Sequence, residues 1–272
     1  MQSHTVRRDG EPDIHVDEAG STNDRTILFV HGYSQCRLSW RNQLRSDLTE
    51  EFRLVAMDLR GHGRSEKPAD AYDDSKLWAD DVRAVIDALE LEDVLLVGWS
   101  YGSLVALDYL SEYGTDGLVG VNLVGIVSEL GTDRARAVLT QGYVDLVPKM
   151  ESTETTECVD ALSQFVRQCM YEELPPDEFY YILGFNVIVP PRVRRCLRSR
   201  DVSHWDLLSE LAVPVLLTHG QEDGVVKPEA ARSAAEQLEK ATVSLYPETG
   251  HSPFWENHTR YNEELREFAR TL

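Results

Sequence analysis

The sequence lacks any long hydrophobic run. Nowhere in its 272 residues is there a stretch approaching the roughly 20 apolar residues that a membrane-spanning helix needs. The opening MQSHTVRRDGEPDIHVDEAG has none of the apolar core of a secretory leader, so a cytoplasmic protein is expected. Cysteine is scarce. Cys36, Cys158, Cys169 and Cys196 form no C-x-x-C pair, and no Cys/His group has zinc-finger spacing. Free thiols are therefore expected, with a Cys158–Cys169 bridge as the alternative. Lysine is scarcer still relative to arginine, occurring only at Lys67, Lys76, Lys149, Lys227 and Lys240. With 47 acidic against 27 basic residues the net charge is −20. Nucleic acids and anionic membranes, both polyanions, are thereby disfavoured as partners. Two origins of this charge stand open: adaptation to high salt, where self-repulsion is screened, or an acidic protein from an arginine-rich proteome.

What is present is an alternation of short apolar runs with helical patterns, the mark of a mostly parallel, doubly wound α/β sheet. TILFV (26–30), FRLVAM (52–57), VLLVG (94–98), LVGVNLVGIV (118–127), PVLLTHG (214–220) and TVSLY (242–246) read as six strands. Continuous apolar strands are expected where both faces of a sheet are covered. Helices are expected over 74–90, 101–113, 227–239 and 255–271. In the first of these, Leu77, Val82, Val85, Ile86 and Leu89 form one apolar face. Residues 131–205 break the alternation. They carry helical patterns over 132–147, 155–173, 176–186 and 191–198 without a convincing strand. The expected organisation is a core of 1–130 and 206–272 with a helical cap, 131–205, inserted over the carboxyl edge of the sheet, where such sheets bind ligands.

The motif with the most chemical content is Gly98-Trp99-Ser100-Tyr101-Gly102. It follows a strand and opens a helix, the setting of a nucleophile elbow. A tight turn there presents Ser100 above the sheet edge, and a helix N-terminus favours developing negative charge. A serine hydroxyl needs a neighbouring base. His251, in Thr249-Gly250-His251-Ser252 after the last strand, is the candidate. His62 reads as part of a turn, His31 as a loop brace, and His219 as the end of the fifth strand. The base needs a carboxylate to fix its tautomer. Asp223, in Gly220-Gln221-Glu222-Asp223-Gly224, is the candidate, with Glu222 and Glu129 as alternatives. Oxyanion donors are expected from the backbone N–H of Tyr101 and of Tyr33, the latter in His31-Gly32-Tyr33-Ser34.

With Asp58-Leu59-Arg60-Gly61-His62-Gly63-Arg64-Ser65 added, these motifs stand in the order seen in the α/β-hydrolase superfamily, which the chain resembles from about residue 13 onward. The resemblance is greatest to small cofactor-free esterases grouped with the non-haem haloperoxidases and with pimeloyl-carrier-protein methyl ester esterases. Serine at position 100 argues against the haloalkane dehalogenases and soluble epoxide hydrolases, which carry aspartate there. The resemblance implies two-step acyl transfer on a small-molecule ester, with no metal and no organic cofactor. Perhydrolysis and apparent halogenation are possible side reactions. Trp99 and the cap aromatics Tyr143, Phe165, Tyr181 and Phe185 are candidate walls of the acyl pocket. Cys36, Asn186 and His258 receive no role. Beside a carboxylic ester hydrolase stand other reactions of the same triad: carbon–carbon bond, lactone or amide hydrolysis, or cyanohydrin cleavage. The last would want a lysine, of which Lys227 is nearest to Asp223 in sequence. A triad-bearing ligand receptor is a further alternative.

Overall fold

Apolar runs bounded by polar loops become the middle of one sheet. The computed structural model of the chain describes residues 1–20 and 25–272. Its strands are β1 (Gln2–Arg8), β2 (Glu11–Ala19), β3 (Thr26–Val30), β4 (Arg53–Met57), β5 (Val94–Trp99), β6 (Leu118–Val124), β7 (Glu129–Leu130), β8 (Val202–Ser203), β9 (Val215–Gly220) and β10 (Ala241–Tyr246). Eight of them form one sheet in the order β1-β2-β4-β3-β5-β6-β9-β10. Only the pairings of β2 with β1 and with β4 are antiparallel. The parallel strands bury both faces by simple alternation. Leu28, Val30 and Leu96 enter one core, and Ile27, Phe29, Leu95 and Val97 enter the other.

The helices are α1 (Arg41–Leu44), α2 (Ser75–Ala88), α3 (Tyr101–Tyr113), α4 (Asp133–Val138), α5 (Gln141–Met150), α6 (Thr155–Gln168), α7 (Pro176–Val187), α8 (Pro191–Arg198), α9 (Glu229–Gln237), α10 (Pro253–Glu256) and α11 (His258–Thr271). α2 starts where the Asp74 side chain accepts from the N–H of Lys76, and it buries Trp78, Ala79, Val82 and Val85. α4 to α8 all lie between β6 and β9 in the chain.

Several expected elements differ from those observed. β1 and β2 carry no apolar run. In β1 only Val6 is buried, and in β2 the buried side chains include His15, Asp17 and Glu18. These carboxylates are compensated across strands: Arg37 Nε donates to Asp17 at 2.6 Å and Arg53 Nε to Glu18 at 2.8 Å. A hydrophobicity pattern reads such paired charges as surface. The strand expected over 118–127 ends at Val124, because Gly125 turns with φ +53°. The helix expected over 132–147 splits at Leu139-Thr140, which runs extended and bridges to Val226. The C-terminal helix breaks between α10 and α11 at Asn257. The segment 131–205 is framed by an antiparallel pairing of β7 with β8, Glu129 opposite Ser203 and Leu130 opposite Val202.

Candidate active site

The turn after β5 holds Ser100 at φ 54°, ψ −117°, a conformation that a non-glycine residue keeps only when its surroundings enforce it. Here the enforcement is backbone packing. The Ser100 N–H donates to Val124 O of the neighbouring strand at 2.8 Å. A Cβ at Gly98 would stand 2.4 Å from Gly102 O, and one at Gly102 would stand 2.3 Å from Val30 O. α3 therefore runs straight into the β3–β5 junction, and Ser100 sits at its N-terminus, facing a cavity of about 340 Å³.

The loop after β9 supplies Asp223, whose side chain is buried. Its Oδ1 accepts from the N–H groups of Val225 at 2.7 Å and Val226 at 2.9 Å. Its Oδ2 faces His251 Nδ1 at 2.7 Å. Burial, the largest single influence, pushes the carboxyl up. The His251 and His219 rings overcome it and hold the group well below the usual carboxylate range. Asp223 is therefore ionised at neutral pH, so His251 Nδ1 carries the shared proton and Nε2 is the nitrogen left to act. Glu222 is exposed, and Glu129 is engaged with Arg134 at 2.8 Å and with Thr132. Neither takes the place of Asp223.

His251 follows β10, and its loop is fixed on three sides. Its N–H donates to Cys169 O at 2.9 Å, its carbonyl accepts from the Trp99 indole at 2.8 Å, and its ring lies 5.5 Å from that of Trp99. Trp99 directly precedes Ser100, so one side chain ties the histidine loop to the serine turn. Gly125 makes room for the ring: a Cβ there would lie 3.0 Å from His251 Cε1. The two loops also meet at Gly220, where a Cβ would stand 1.9 Å from Gly250 O.

The His31–Ser34 turn passes over Ser100. A Cβ on Gly32 would lie 3.2 Å from Ser100 Cβ, and Tyr33 lines the same cavity as Ser100 and Tyr101. His31 and His62 take no place there. His31 Nε2 accepts from the Leu59 N–H at 3.0 Å and His62 Nδ1 bonds Arg60 O at 2.9 Å. Burial pushes both rings down to about 3, so both are neutral braces of their loops.

Of the aromatics expected to wall the pocket, Tyr143 lines the cavity with Val127, Leu139, Val147, Val225 and Val226. The other four do not line this cavity. Phe165 packs behind Tyr33 and Tyr143, at ring distances of 6.4 and 5.8 Å. Tyr181 stacks on Trp255. Trp99 and Phe185 face a separate narrow crevice beside Ser252 and Phe254. Beside Tyr33, Tyr101 and Tyr143 the lining is mostly aliphatic and comes from the loop behind β6, from α4 and α5, and from the loop of Asp223.

Two contributions were not legible in the sequence. His219 Nε2 lies 3.1 Å from Asp223 Oδ2. The Glu256 carboxylate accepts from the N–H groups of Gly250 and Tyr171, at 2.9 and 2.6 Å, joining the histidine loop to the end of α6. The spacing of four residues between His219 and Asp223 was the available signal for the first.

Comparison with known proteins fits this geometry. The profile of the Alpha/beta hydrolase family matches residues 27–264. The chain is 30% identical to the bifunctional esterase/perhydrolase DCH of Acinetobacter calcoaceticus, over 98% of this chain and 99% of that protein. It is 25% identical to a non-heme chloroperoxidase of Streptomyces lividans, over 98% of this chain and 99% of that one. The crystal structure of an esterase from Rhodococcus sp. ECU1013 superposes with a TM-score of 0.93 at 35% identity, covering 100% of both chains. Elbow, histidine–aspartate pair and whole-chain likeness agree: this chain belongs to the alpha/beta hydrolase family and is a hydrolase.

Proposed function

We propose that the protein cleaves carboxylic esters of small molecules by a serine acyl-enzyme mechanism. The observation that carries this reading is the Asp223–His251 contact of 2.7 Å, fastened by the Trp99 indole to the turn that presents Ser100. In this mechanism the Ser100 hydroxyl attacks the ester carbonyl while His251 Nε2 takes its proton. The tetrahedral oxyanion is held by the N–H groups of Tyr33 and Tyr101, and one such donor is worth about 10²–10³ in rate. His251 then protonates the leaving alcohol. Water, activated by the same imidazole, attacks the acyl carbonyl and releases the acid and Ser100. Asp223 stays ionised throughout and stabilises the imidazolium.

The mostly aliphatic lining of the cavity suits an apolar acyl or alcohol group. Cyanohydrin cleavage is not favoured, because the Lys227 ammonium donates to Ala137 O at 2.8 Å on the exposed surface. The test is hydrolysis of short-chain aryl esters by the wild type and by Ser100→Ala. Turnover that is lost in the variant supports the mechanism. A folded wild type without ester turnover refutes it.

A further inference from the structure

Asp223 Oδ2 faces two imidazoles rather than one. His251 approaches from the loop after β10 and His219 from the end of β9, with Nδ1 of the first at 2.7 Å and Nε2 of the second at 3.1 Å. The second contact has a determined proton. His219 Nε2 also lies 2.8 Å from Val226 O, and a carbonyl can only accept, so Nε2 carries hydrogen and donates it to Val226 O, with Asp223 Oδ2 beside that N–H at 3.1 Å. The ring is fully buried and its Nδ1 meets no partner among the described residues. A second proton would find no acceptor there. The arrangement is therefore a neutral, one-proton imidazole fixed edge-on to the orienting carboxylate.

We propose that His219 is a positioning residue of the catalytic machinery, which sets the direction and basicity of Asp223 and, through it, the protonation of His251. This rests on the serine hydrolase reading. The N–H groups of Val225 and Val226 donate to Oδ1 and the His251 ring to Oδ2, and the positive N–H edge of His219 lies 3.1 Å from Oδ2. A carboxylate so enclosed cannot swing away from His251 without leaving donors unpaired in a site closed to water. The His219 N–H also draws charge from Oδ2. Its loss leaves a more basic carboxylate that holds the His251 proton more tightly, so the imidazole titrates at higher pH. The other titratable groups beside this cluster are Cys169 and Glu256. The thiol is pushed well above its usual range by burial and stays protonated throughout an acid titration. Glu256, pushed up to about 7, is unchanged in the His219 variants and cancels in the comparison.

The test compares His219→Phe, which keeps a buried ring without a donor, with His219→Gln, which keeps an N–H in reach of Oδ2. Should the phenyl ring prevent folding, His219→Leu serves the same comparison. The readouts are the acid limb of kcat/KM for an aryl ester and the titration of His251 followed by NMR. Outer groups that orient metal-bound histidines change activity by about 10–100-fold, and an effect at the lower end of that range is expected for a group acting through Asp223. The expected result is a roughly tenfold loss of kcat and an upward shift of both titrations in the donorless variant, with most of each recovered in His219→Gln. A folded donorless variant with kcat within twofold and an unmoved His251 titration overturns the proposal. So does an equal loss in both variants that follows their melting temperatures, since that marks a packing role. The NMR titration needs no turnover. Wild-type protein that fails to hydrolyse esters would therefore sink the ester reading while His219 is still judged on its own.

Discussion

The join between the helical segment and the nucleophile helix can be loosened at one residue, Arg200. Its side chain is completely buried. It donates to both oxygens of the equally buried Asp108, at 2.7 and 2.8 Å, to the Tyr101 hydroxyl at 3.0 Å and to Ser75 Oγ at 2.9 Å. Arg200→Met keeps much of the volume and leaves Asp108, among the described residues, with only His204 Nε2, at 2.7 Å, as a charged or polar side-chain partner. Removing one partner of a buried ion pair costs about 3–5 kcal/mol, chiefly because the other charge stays buried. At roughly 2–4 °C per kcal/mol in a domain of this size, Tm should fall by about 10 °C or somewhat more. Adding Asp108→Asn removes the stranded charge, so the double variant should regain part of the loss, a coupling on the order of 1–3 kcal/mol. Thermal unfolding by circular dichroism reads both. Ester turnover at 25 °C, where Arg200→Met is still folded, should also drop, because Tyr101 is a proposed oxyanion donor and loses the contact that fixes its side chain. A Tm change under 2 °C, or a double variant less stable than Arg200→Met, would refute the reasoning.

Other outcomes are expected at separate points. Gly220→Ala places a Cβ 1.9 Å from Gly250 O and must displace the histidine loop. Ester turnover should fall by about 100-fold or more if that loop carries the general base. Full activity would show that the loops are not rigidly joined. Asn122→Leu removes the Nδ2 donor to Leu216 O and Thr218 Oγ1 and strands the Tyr261 hydroxyl. Denaturant unfolding should register a loss of roughly 2–3 kcal/mol, and an unchanged midpoint would contradict it. Burial, aided by the charge of Asp223, pushes the Glu256 carboxyl up to about 7 against its three backbone donors. A carboxyl raised above its unfolded value of 4.5 binds protons better when folded. Its contribution is present below that value and is lost as pH rises through about 7. The wild-type Tm should therefore fall more steeply than that of Glu256→Gln between pH 5 and 8, and parallel curves would exclude this. Finally, we propose that the net charge of −20 makes the fold salt-requiring. Raising salt from about 0.1 to 1 M shortens the screening length from about 10 to 3 Å and should raise Tm, and a flat response would remove the high-salt reading.

The sequence by itself determined the middle of the molecule. TILFV and VLLVG read as doubly buried strands, and observed β3 and β5 match them closely. A strand followed by Gly98-Trp99-Ser100-Tyr101-Gly102 is the pattern that a strand-to-helix turn requires, and Ser100, Asp223 and His251 all lie in loops at strand ends, where apolar pattern and turn residues alternate. Tertiary structure alone decided what depends on partners distant in the chain. β2 is buried because Arg37 and Arg53 neutralise its carboxylates, a fact no hydrophobic pattern carries. The mostly aliphatic lining around Tyr143 follows from how α4 and α5 lie against the loops behind β6 and β9. His219 looks like the end of a strand until the fold brings Asp223 back to within 3.1 Å of its ring. The physical reason is common to all three. Local pattern records which residues leave water, whereas the direction in which a buried polar group points is fixed only when its partner arrives from another part of the chain.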